Sequence, residues 1–463
     1  MRWNRFIGNT LYWLYPGLKI KRWLLLAVGG FGAVLLGFTL LVGPDLLHYS
    51  DKLIQPLLKF LIGSAYSGLL LLLGLVMIIL GLRRAAEALR EALILSRSSC
   101  DDKKTLIEVL FTKRYLENGP RVVTIGGGTG LSNLLRELKE YTSNLTAVVT
   151  VTDDGGSSGR LRGELGILPP GDIRSCLLAM ADTEPIMEKL FEHRFQGGAG
   201  LEGHSFGNLF IAAMTEMFGF QEAVRHFGRV MAIRGRVFPV TLDMVQLEAE
   251  DTEGRLTRGQ SVLYHRKGSL KRIALSPAAV KPLPEVLAAI AGADAIILGP
   301  GSLFTSIIPN LLVPGMAEAI LKTRALVFYV CNVTTQPGET TGFSAADHVQ
   351  ALLDHVPAGL LDYIVVNSDL SVPRVKLEHL AQQGAALVRP DYKRLTKLAP
   401  QVISGYVINH TQITRHDGRR LAEIIVDQVR SGGRRTGEAF GKDASSILTV
   451  KSAAAWKNAA GPD

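Results

Sequence analysis

The stretch Val122–Gly130, with the sequence VVTIGGGTG, decides the fold class of this chain. An apolar strand runs directly into four glycines within five residues, and a predicted helix starts near Leu131. The backbone N–H groups of a glycine-rich turn can approach an anion closely, and the N-terminal end of the next helix adds partial positive charge. We therefore expect this turn to bind a phosphorylated ligand.

A second turn of the same kind occurs far downstream. Asp294–Leu298 reads as a buried strand, and Gly299–Ser302 follows it before a segment that begins at Leu303. Two strands that each end in a glycine-rich turn predict one α/β sheet with ligand contacts at the carboxyl edge of its strands.

Apolar strands alternate with helices along the rest of this region, which predicts a parallel sheet buried on both faces. The expected strands are Val122–Ile125, Thr146–Val151, Ala295–Leu298, Leu326–Val330 and Tyr363–Val366, and the expected helices include Leu131–Glu140, Asp172–Ala181 and one that Asp417 caps. A glycine-serine loop is expected after the second strand. Alternating apolar residues predict a β-rich insertion over Arg236–Leu275.

The first hundred residues contain two long apolar runs. Trp23–Gly43 and Phe60–Leu82 carry no charge, and each is long enough to cross the hydrocarbon core of about 30 Å as a helix. A cleaved signal peptide is the alternative for the first run, but that run is too long and lacks a cleavage pattern. Basic residues before the first run and after the second predict a two-pass hairpin with both termini and the soluble domain in the cytoplasm.

The net charge of +9 raises the question of nucleic-acid binding. Most of this excess lies in the first 22 residues and in the C-terminal tail, which suits the anionic lipids of the inner membrane, and no DNA- or RNA-binding signature occurs. The three cysteines are far apart, which disfavours a disulfide framework or a zinc cluster.

The segment after the second strand carries several possible ligand contacts. Asp153 and Asp154 could hold a ribose hydroxyl or a magnesium ion that bridges phosphates, and Ser157, Ser158 and Arg160 could donate to a diphosphate. An isolated Asp-Gly-Gly-Ser string is usually a surface turn. Its predicted place at the carboxyl edge favours ligand binding here.

Two further helix starts carry polar residues. Asp172 is expected as an N-cap, whereas Arg174 in the first turn opposes the helix dipole and so suggests a phosphate partner. Near the next helix, Asn208 is a better candidate for a ligand contact than His204 is for a general base, since no carboxylate partner for the histidine is evident.

The downstream turns add hydroxyl and amide groups. Ser302 and Thr305 could contact ligand or simply cap a helix, and Asn332 and Gln336 could contact a base edge or sugar hydroxyls or belong to a plain loop. No Walker A lysine follows the glycines, the spacing departs from the dinucleotide fingerprint, and no catalytic triad or zinc spacing occurs.

Six strings in order, IGGGTG, VTDDGGSSGRLR, LPPGDIR, GHSFGNLF, ILGPGSLFTSIIPNLLV and NVTTQPGET, resemble the gluconeogenesis factor family. This is the YvcK-like branch of the CofD-like 2-phospho-L-lactate transferase superfamily. The resemblance covers residues 121–430 and implies a Rossmann-like sheet with an inserted region. It also implies binding of a UDP-sugar such as UDP-N-acetylglucosamine, and a role in cell shape and peptidoglycan precursor supply during gluconeogenic growth.

The resemblance implies a specific set of pocket residues. Together with the residue-based candidates, the predicted ligand contacts are Gly126, Gly127, Gly128, Thr129, Gly130, Asp153, Asp154, Ser157, Ser158, Arg160, Asp172, Arg174, Asn208, Gly299, Gly301, Ser302, Thr305, Asn332 and Gln336. Asp153 and Asp154 are the predicted Mg²⁺ ligands.

The expected organisation is a basic aromatic segment (1–22), a transmembrane helical hairpin (23–82), an amphipathic linker (83–120), a CofD-like nucleotide-sugar-binding domain (121–430) and a flexible tail (431–463). We expect a membrane-tethered regulator whose partners are a nucleotide sugar, membrane lipids, cell-wall synthesis regulators and further copies of itself.

Two other functions stay open from the sequence. One is a phospholactate-type transferase that uses a nucleotide-activated donor and Mg²⁺, although the segment after Asp154 differs from the loop that such transferases carry. The other is an NAD-dependent oxidoreductase, which rests only on a glycine turn and an acid after the second strand.

Overall fold

The structure is a computed structural model that describes residues 19–42, 64–98, 114–182, 185–251, 253–263, 270–431 and 446–450. The chain divides into two compact units, residues 1–115 and 116–463.

The described part of the first unit includes the helices α1 (Lys19–Val42) and α2 (Ser64–Ser98), which pack against each other with Gly30 beside Gly74. Large apolar side chains cover their outer faces, as expected for helices in contact with lipid. Ser67–Glu87 is long and apolar enough to cross a membrane, and Trp23–Thr39 is a shorter apolar helix. Residues 83–98, the first part of the predicted amphipathic linker, continue α2 without a break.

The second unit is built on a parallel sheet of eight strands, which confirms the predicted α/β class. Its strands are β1 (Val122–Gly126), β2 (Leu145–Val149), β3 (Arg236–Pro239), β7 (Ala295–Leu298), β8 (Leu326–Val330), β9 (Tyr363–Asn367), β10 (Gln401–Gly405) and β11 (Ser446–Val450). The order is β11-β10-β9-β8-β7-β1-β2-β3. All eight strands are parallel, but the chain adds β2 and β3 on one side of β1 and β8 to β11 on the far side of β7. This reversal of strand order opens a crevice at the carboxyl ends of β1 and β7.

The helices that cover this sheet are α3 (Gly128–Leu138), α4 (Gly156–Leu165), α5 (Gly171–Ala179), α6 (Pro185–Glu192), α7 (Phe206–Phe218), α8 (Phe220–Val230), α9 (Gln260–Leu263), α10 (Pro284–Ala291), α11 (Ile308–Leu311), α12 (Met316–Lys322), α13 (Ala345–Leu353), α14 (Arg374–Gln382), α15 (Tyr392–Leu398) and α16 (Gly418–Ser431). A π-helical turn, Leu303–Ile307, precedes α11. Every residue of the central strands β1, β2, β7, β8 and β9 is buried, which explains their continuous apolar sequences.

The predicted β-rich insertion forms a separate antiparallel sheet. Its strands are β4 (Gln246–Asp251), β5 (Leu256–Arg258) and β6 (Leu270–Ser276), in the order β5-β4-β6, with α9 between β5 and β6.

Three local predictions are wrong. The expected glycine-serine loop is helix α4, because Gly155 and Gly156 start a helix whose buried side includes Ser157 and Ser158. Asp172 is not an N-cap, since α5 already begins at Gly171. The predicted flexible tail contributes residues 446–450 to the sheet as β11, while 432–445 and 451–463 lie outside the described residues.

Candidate functional site

The two glycine turns lie side by side at the carboxyl edge of the sheet. Strands β1 and β7 are paired, with Ile125 opposite Leu298, so the turns that follow them are neighbours. A Cβ atom on Gly130 would lie 2.8 Å from the Pro300 carbonyl oxygen, and one on Gly301 would lie 3.2 Å from the Gly127 oxygen. Only glycine permits the two backbones to approach this closely.

A pocket of about 350 Å³ opens above both turns. Its lining consists of Gly127, Gly128, Thr129, Gly130, Asn133, Asp153, Asp172, Gln260, Pro300, Gly301, Ser302, Ser306, Asn332, Val333, Thr334, Gln336, Thr414, Arg415 and His416. The pocket therefore combines backbone N–H groups, the start of α3, two carboxylates, several amides and an arginine, a donor set that suits a phosphorylated ligand bound with a cation.

Asp172 supports the first glycine turn from the side. Its carboxylate accepts a hydrogen bond from the Gly128 N–H. Burial of the carboxyl group, and secondarily the charge of Asp153, raise the pKa of Asp172 from 3.8 to about 7. Burial also raises the pKa of Asp153, while hydrogen bonds from Gly155 and Ser158 oppose that increase. Two enclosed carboxylates thus face one pocket, where a cation would offset their charge.

Asp154, the other predicted metal ligand, does not line the pocket. Its Oδ1 accepts a 2.7 Å hydrogen bond from the Ser261 N–H of the insertion, and its Oδ2 lies against Gly259. The carboxylate that lines the pocket together with Asp153 is that of Asp172 and not that of Asp154. Within the described ranges no group of three or more His, Cys, Asp or Glu side chains could hold a metal ion, so an ion here would need further ligands from a bound phosphate.

Several predicted contacts form an internal network instead, which we call the α5–α7 cluster: Ser157, Arg174, His204, Ser205 and Asn208. Arg174 Nη1 donates to Asn208 Oδ1 at 2.7 Å and to the Ser205 hydroxyl. Asn208 Nδ2 donates to Ser157 Oγ at 2.9 Å, and the Ser157 hydroxyl lies 2.9 Å from His204 Nδ1. None of the five lines the pocket.

The electrostatics of this cluster favour a structural role for its histidine. Burial, followed by the charge of Arg160, lowers the pKa of His204, so its imidazole is neutral and can accept the Ser157 proton in a hydrogen bond. Arg174 Nε is buried and makes no hydrogen bond within the described part of the chain.

Ser158 and Arg160 also lie outside the pocket lining. Ser158 Oγ accepts from the Gly171 N–H at 3.1 Å and thereby holds the start of α5 next to Asp153. Arg160 Nη2 donates to the Glu202 carbonyl at 2.5 Å.

The turn after β8 reaches the pocket from the other side. Gln336 Nε2 donates to Ser302 Oγ at 2.7 Å, and Asn332 Nδ2 lies 3.4 Å from Gln336 Oε1. Thr305 is fully buried and donates to Glu339 Oε1 at 3.0 Å, which ties the two turns together beneath the pocket. Burial raises the pKa of Glu339 to about 7.

Sequence reasoning missed the pocket residues Asn133, Gln260, Ser306, Thr334, Thr414, Arg415 and His416. The segment 414–416 lines the pocket because Asn133 Nδ2 donates to the His416 carbonyl, which holds the chain before α16 against α3. His416 Nε2 donates to the Cys331 carbonyl at 3.0 Å, and burial lowers the pKa of His416 to about 4. No spacing rule links residue 415 to glycines almost three hundred residues earlier, so the sequence offered no signal for this arginine.

Comparisons with known proteins agree with this architecture. The model of the family 2-phospho-L-lactate transferase CofD matches residues 122–408. The gluconeogenesis factor of Bacillus subtilis is 46% identical over 313 residues, which are 67% of this chain and 98% of that protein. A relative from Nostoc sp. is 43% identical over 435 residues, which are 92% of this chain and 94% of that protein. A crystal structure of a UPF0052 family member from Bacillus halodurans superimposes with a TM-score of 0.65 at 44% identity and covers 67% of this chain and 99% of that chain.

Proposed function

This chain belongs to the CofD family and is similar to gluconeogenesis factors, and from that premise we propose that it is a membrane-tethered protein that binds a nucleotide-diphosphate sugar such as UDP-N-acetylglucosamine. In this role it reports the supply of peptidoglycan precursors to regulators of cell shape during gluconeogenic growth. The observation that carries the proposal is the meeting of two glycine turns in one pocket.

The diphosphate is proposed to lie over the two turns. Backbone N–H groups at the start of α3 and the partial positive charge of that helix favour an anion at this position. Arg415 lines the same pocket and forms no ion pair within the described residues, so its guanidinium is available for a phosphate.

Mg²⁺ is the cation that we propose for this site. Asp153 and Asp172 would hold it, because both line the pocket and a bound cation would favour the ionised carboxylates whose pKa values burial raises. When bound, Mg²⁺ would neutralise part of the diphosphate charge. Asn332 and Gln336, at the β8 end of the pocket, present amide groups that suit the edge of a pyrimidine base.

The hairpin is proposed to anchor the protein in the cell membrane with the sheet domain in the cytoplasm. Arg84 lies over the Trp23 ring at 5.8 Å, an arrangement typical of side chains at a membrane interface.

Calorimetry on the full chain in lipid nanodiscs tests the proposal. We expect UDP-N-acetylglucosamine to bind, and Arg415→Ala to weaken binding by about tenfold or more, because a charge-assisted hydrogen bond contributes about 1.5–3 kcal/mol. Arg389→Ala is a control outside the pocket lining. Failure of wild-type protein to bind any UDP-sugar would refute the proposal.

A transferase of the phospholactate type is a second candidate, favoured by the two carboxylates that face the pocket. Its test is turnover with a deazaflavin acceptor, a nucleotide-activated donor and Mg²⁺, followed by mass spectrometry. Product formation that Asp153→Asn abolishes would favour this function over a purely regulatory one.

A further inference from the structure

Among the described residues of the β-rich insertion, Gln260 at the start of α9 lines the pocket. This side chain is nearly enclosed, with only 6% of the residue exposed. Its Oε1 accepts a 3.0 Å hydrogen bond from the Thr152 hydroxyl, whereas its amide nitrogen makes no hydrogen bond within the described residues. Because Gln260 lines the pocket, a ligand bound there can accept a hydrogen bond from this nitrogen.

The orientation of this amide follows from the hydroxyls beneath it. The Thr150 and Thr152 hydroxyls are 3.1 Å apart, so Thr150 can donate to Thr152, which then donates to Gln260 Oε1. This relay leaves the two N–H groups of Gln260 directed to the pocket.

Asp154 determines where α9 sits. Its Oδ1 accepts from the Ser261 N–H at 2.7 Å, directly beside Gln260. A Cβ atom on Gly259 would lie 2.5 Å from Asp154 Oδ2, and Gly259 adopts a φ of +91°, so this close packing requires glycine. The carboxylate that the sequence suggested as a metal ligand thus clamps the insertion to the loop after β2.

The sheet order places Gln260 at one end of the pocket. Along the carboxyl edge the order is β8, β7, β1, β2, with the amides of Asn332 and Gln336 after β8, the glycine turns after β7 and β1, and the Gln260 contact with Thr152 after β2. A diphosphate over the glycine turns would therefore have the base at the β8 end and its second substituent at the β2 end.

We propose that Gln260 is a specificity-determining residue that donates a hydrogen bond to the sugar attached to the distal phosphate of the nucleotide, and that Asp154 is a positioning residue that acts through it. The inference rests on the proposed function and names which part of the ligand the insertion recognises. In this role the insertion distinguishes between ligands that share the same nucleotide but differ in the attached sugar.

The test compares UDP-N-acetylglucosamine with UDP by calorimetry, using the full chain in nanodiscs. We expect Gln260→Ala to weaken binding of the nucleotide sugar about three- to tenfold and to weaken UDP binding much less, so that the preference for the sugar collapses. Asp154→Ala should reproduce that change, whereas Asp154→Asn, which keeps an oxygen that accepts from Ser261, should retain the preference. Gln221→Ala is a matched control, since Gln221 donates to Glu285 outside the pocket lining.

The outcomes separate the two proposals. If Gln260→Ala lowered the affinity for UDP and for the UDP-sugar equally, or changed neither affinity, the role assigned to Gln260 would be wrong. The proposal that the protein binds a nucleotide would still stand. Loss of the sugar preference in Asp154→Asn as well as in Asp154→Ala would overturn the positioning role of Asp154. Wild-type protein that binds neither UDP nor the UDP-sugar would overturn the proposed function and this inference together.

Discussion

The glycine-turn pocket and the α5–α7 cluster lie at neighbouring places in the fold and use similar residue types, yet they differ in what satisfies their polar groups. In the pocket, the Gln260 nitrogen and the Arg415 guanidinium face open space, and two carboxylates stand together. In the cluster, Arg174, Asn208, Ser157 and His204 bond chiefly to one another. This difference supports the proposal that a ligand binds in the pocket, whereas the hydrogen bonds of the cluster join α4, α5 and α7 to one another.

The largest expected effect is the loss of the pocket when the two turns are forced apart. Gly130→Ala would place a methyl group 2.8 Å from the Pro300 carbonyl oxygen, which is backbone and cannot rotate away. We expect affinity for UDP-N-acetylglucosamine to fall by about a hundredfold, because displacement by an ångström disrupts every contact to the diphosphate. Gly163→Ala is the matched control, since no atom lies within 4 Å of its added methyl group. Equal affinities in the two variants would mean that the turns do not hold the ligand.

The free energy of unfolding should depend on pH through the pocket carboxylates. The pKa of Asp172 is raised from 3.8 to about 7, so the folded protein binds a proton more tightly than the unfolded chain. The free energy of unfolding should therefore fall as pH rises from about 4 to 7, by up to about 4 kcal/mol at 1.36 kcal/mol per pKa unit.

Urea unfolding of the full chain at pH 5 and pH 8, without ligand or Mg²⁺, measures this slope. Asp172→Asn should flatten it, because asparagine can still accept from the Gly128 N–H but does not titrate. Added Mg²⁺ should reduce the slope in wild-type protein by favouring the ionised pair. An unchanged slope in Asp172→Asn would assign the pH dependence to other groups, such as Glu339.

Arg174→Ala probes the cluster directly. Its removal leaves Asn208 Oδ1 without its donor and takes away one of the two donors to Ser205 Oγ, so we expect the free energy of unfolding to fall by about 1–3 kcal/mol. Affinity of the folded protein for UDP-N-acetylglucosamine should change by less than about threefold, well below the loss in Arg415→Ala. A loss of affinity as large as that of Arg415→Ala, with stability unchanged, would place Arg174 against the ligand instead.

Arg160→Ala should have the smallest effect. The guanidinium donates an exposed hydrogen bond to the Glu202 carbonyl, so stability should change by less than about 0.5 kcal/mol. Affinity measured by calorimetry should stay within error of the wild type. A clear loss of affinity would extend the pocket to the glycine-rich segment around residue 202.

Predictions from sequence succeeded where one local pattern implied one structure. The apolar runs at Val122 and Ala295 had to be buried parallel strands, and the glycines after them had to be turns at the same edge. The prediction of a loop at Gly155–Ser158 was wrong. The composition of this segment is typical of a loop, but burial of Ser157 and Ser158 against α5 and α7 stabilises a helix there. Tertiary hydrogen bonds outweighed the weak local preference.

The candidate site divides in the same way. Asp153 and Asp154 are neighbouring aspartates that the sequence alone cannot tell apart. Because adjacent side chains leave the backbone in different directions, Asp153 lines the pocket and Asp154 hydrogen-bonds to the insertion. Gln260 and Arg415 carry no local signature of ligand binding, because a short α9 and the segment before α16 reach the pocket only through contacts with Asp154 and Asn133.

The sequence by itself determined that an α/β sheet presents two neighbouring glycine turns and that two apolar runs precede it, since these features depend on hydrophobic periodicity and on the absence of side chains at particular positions. Only the tertiary structure decided which polar residues face the pocket. Side-chain direction depends on helix phase, on close approach of backbones and on contacts between residues more than a hundred positions apart, as between Asp154 and Ser261.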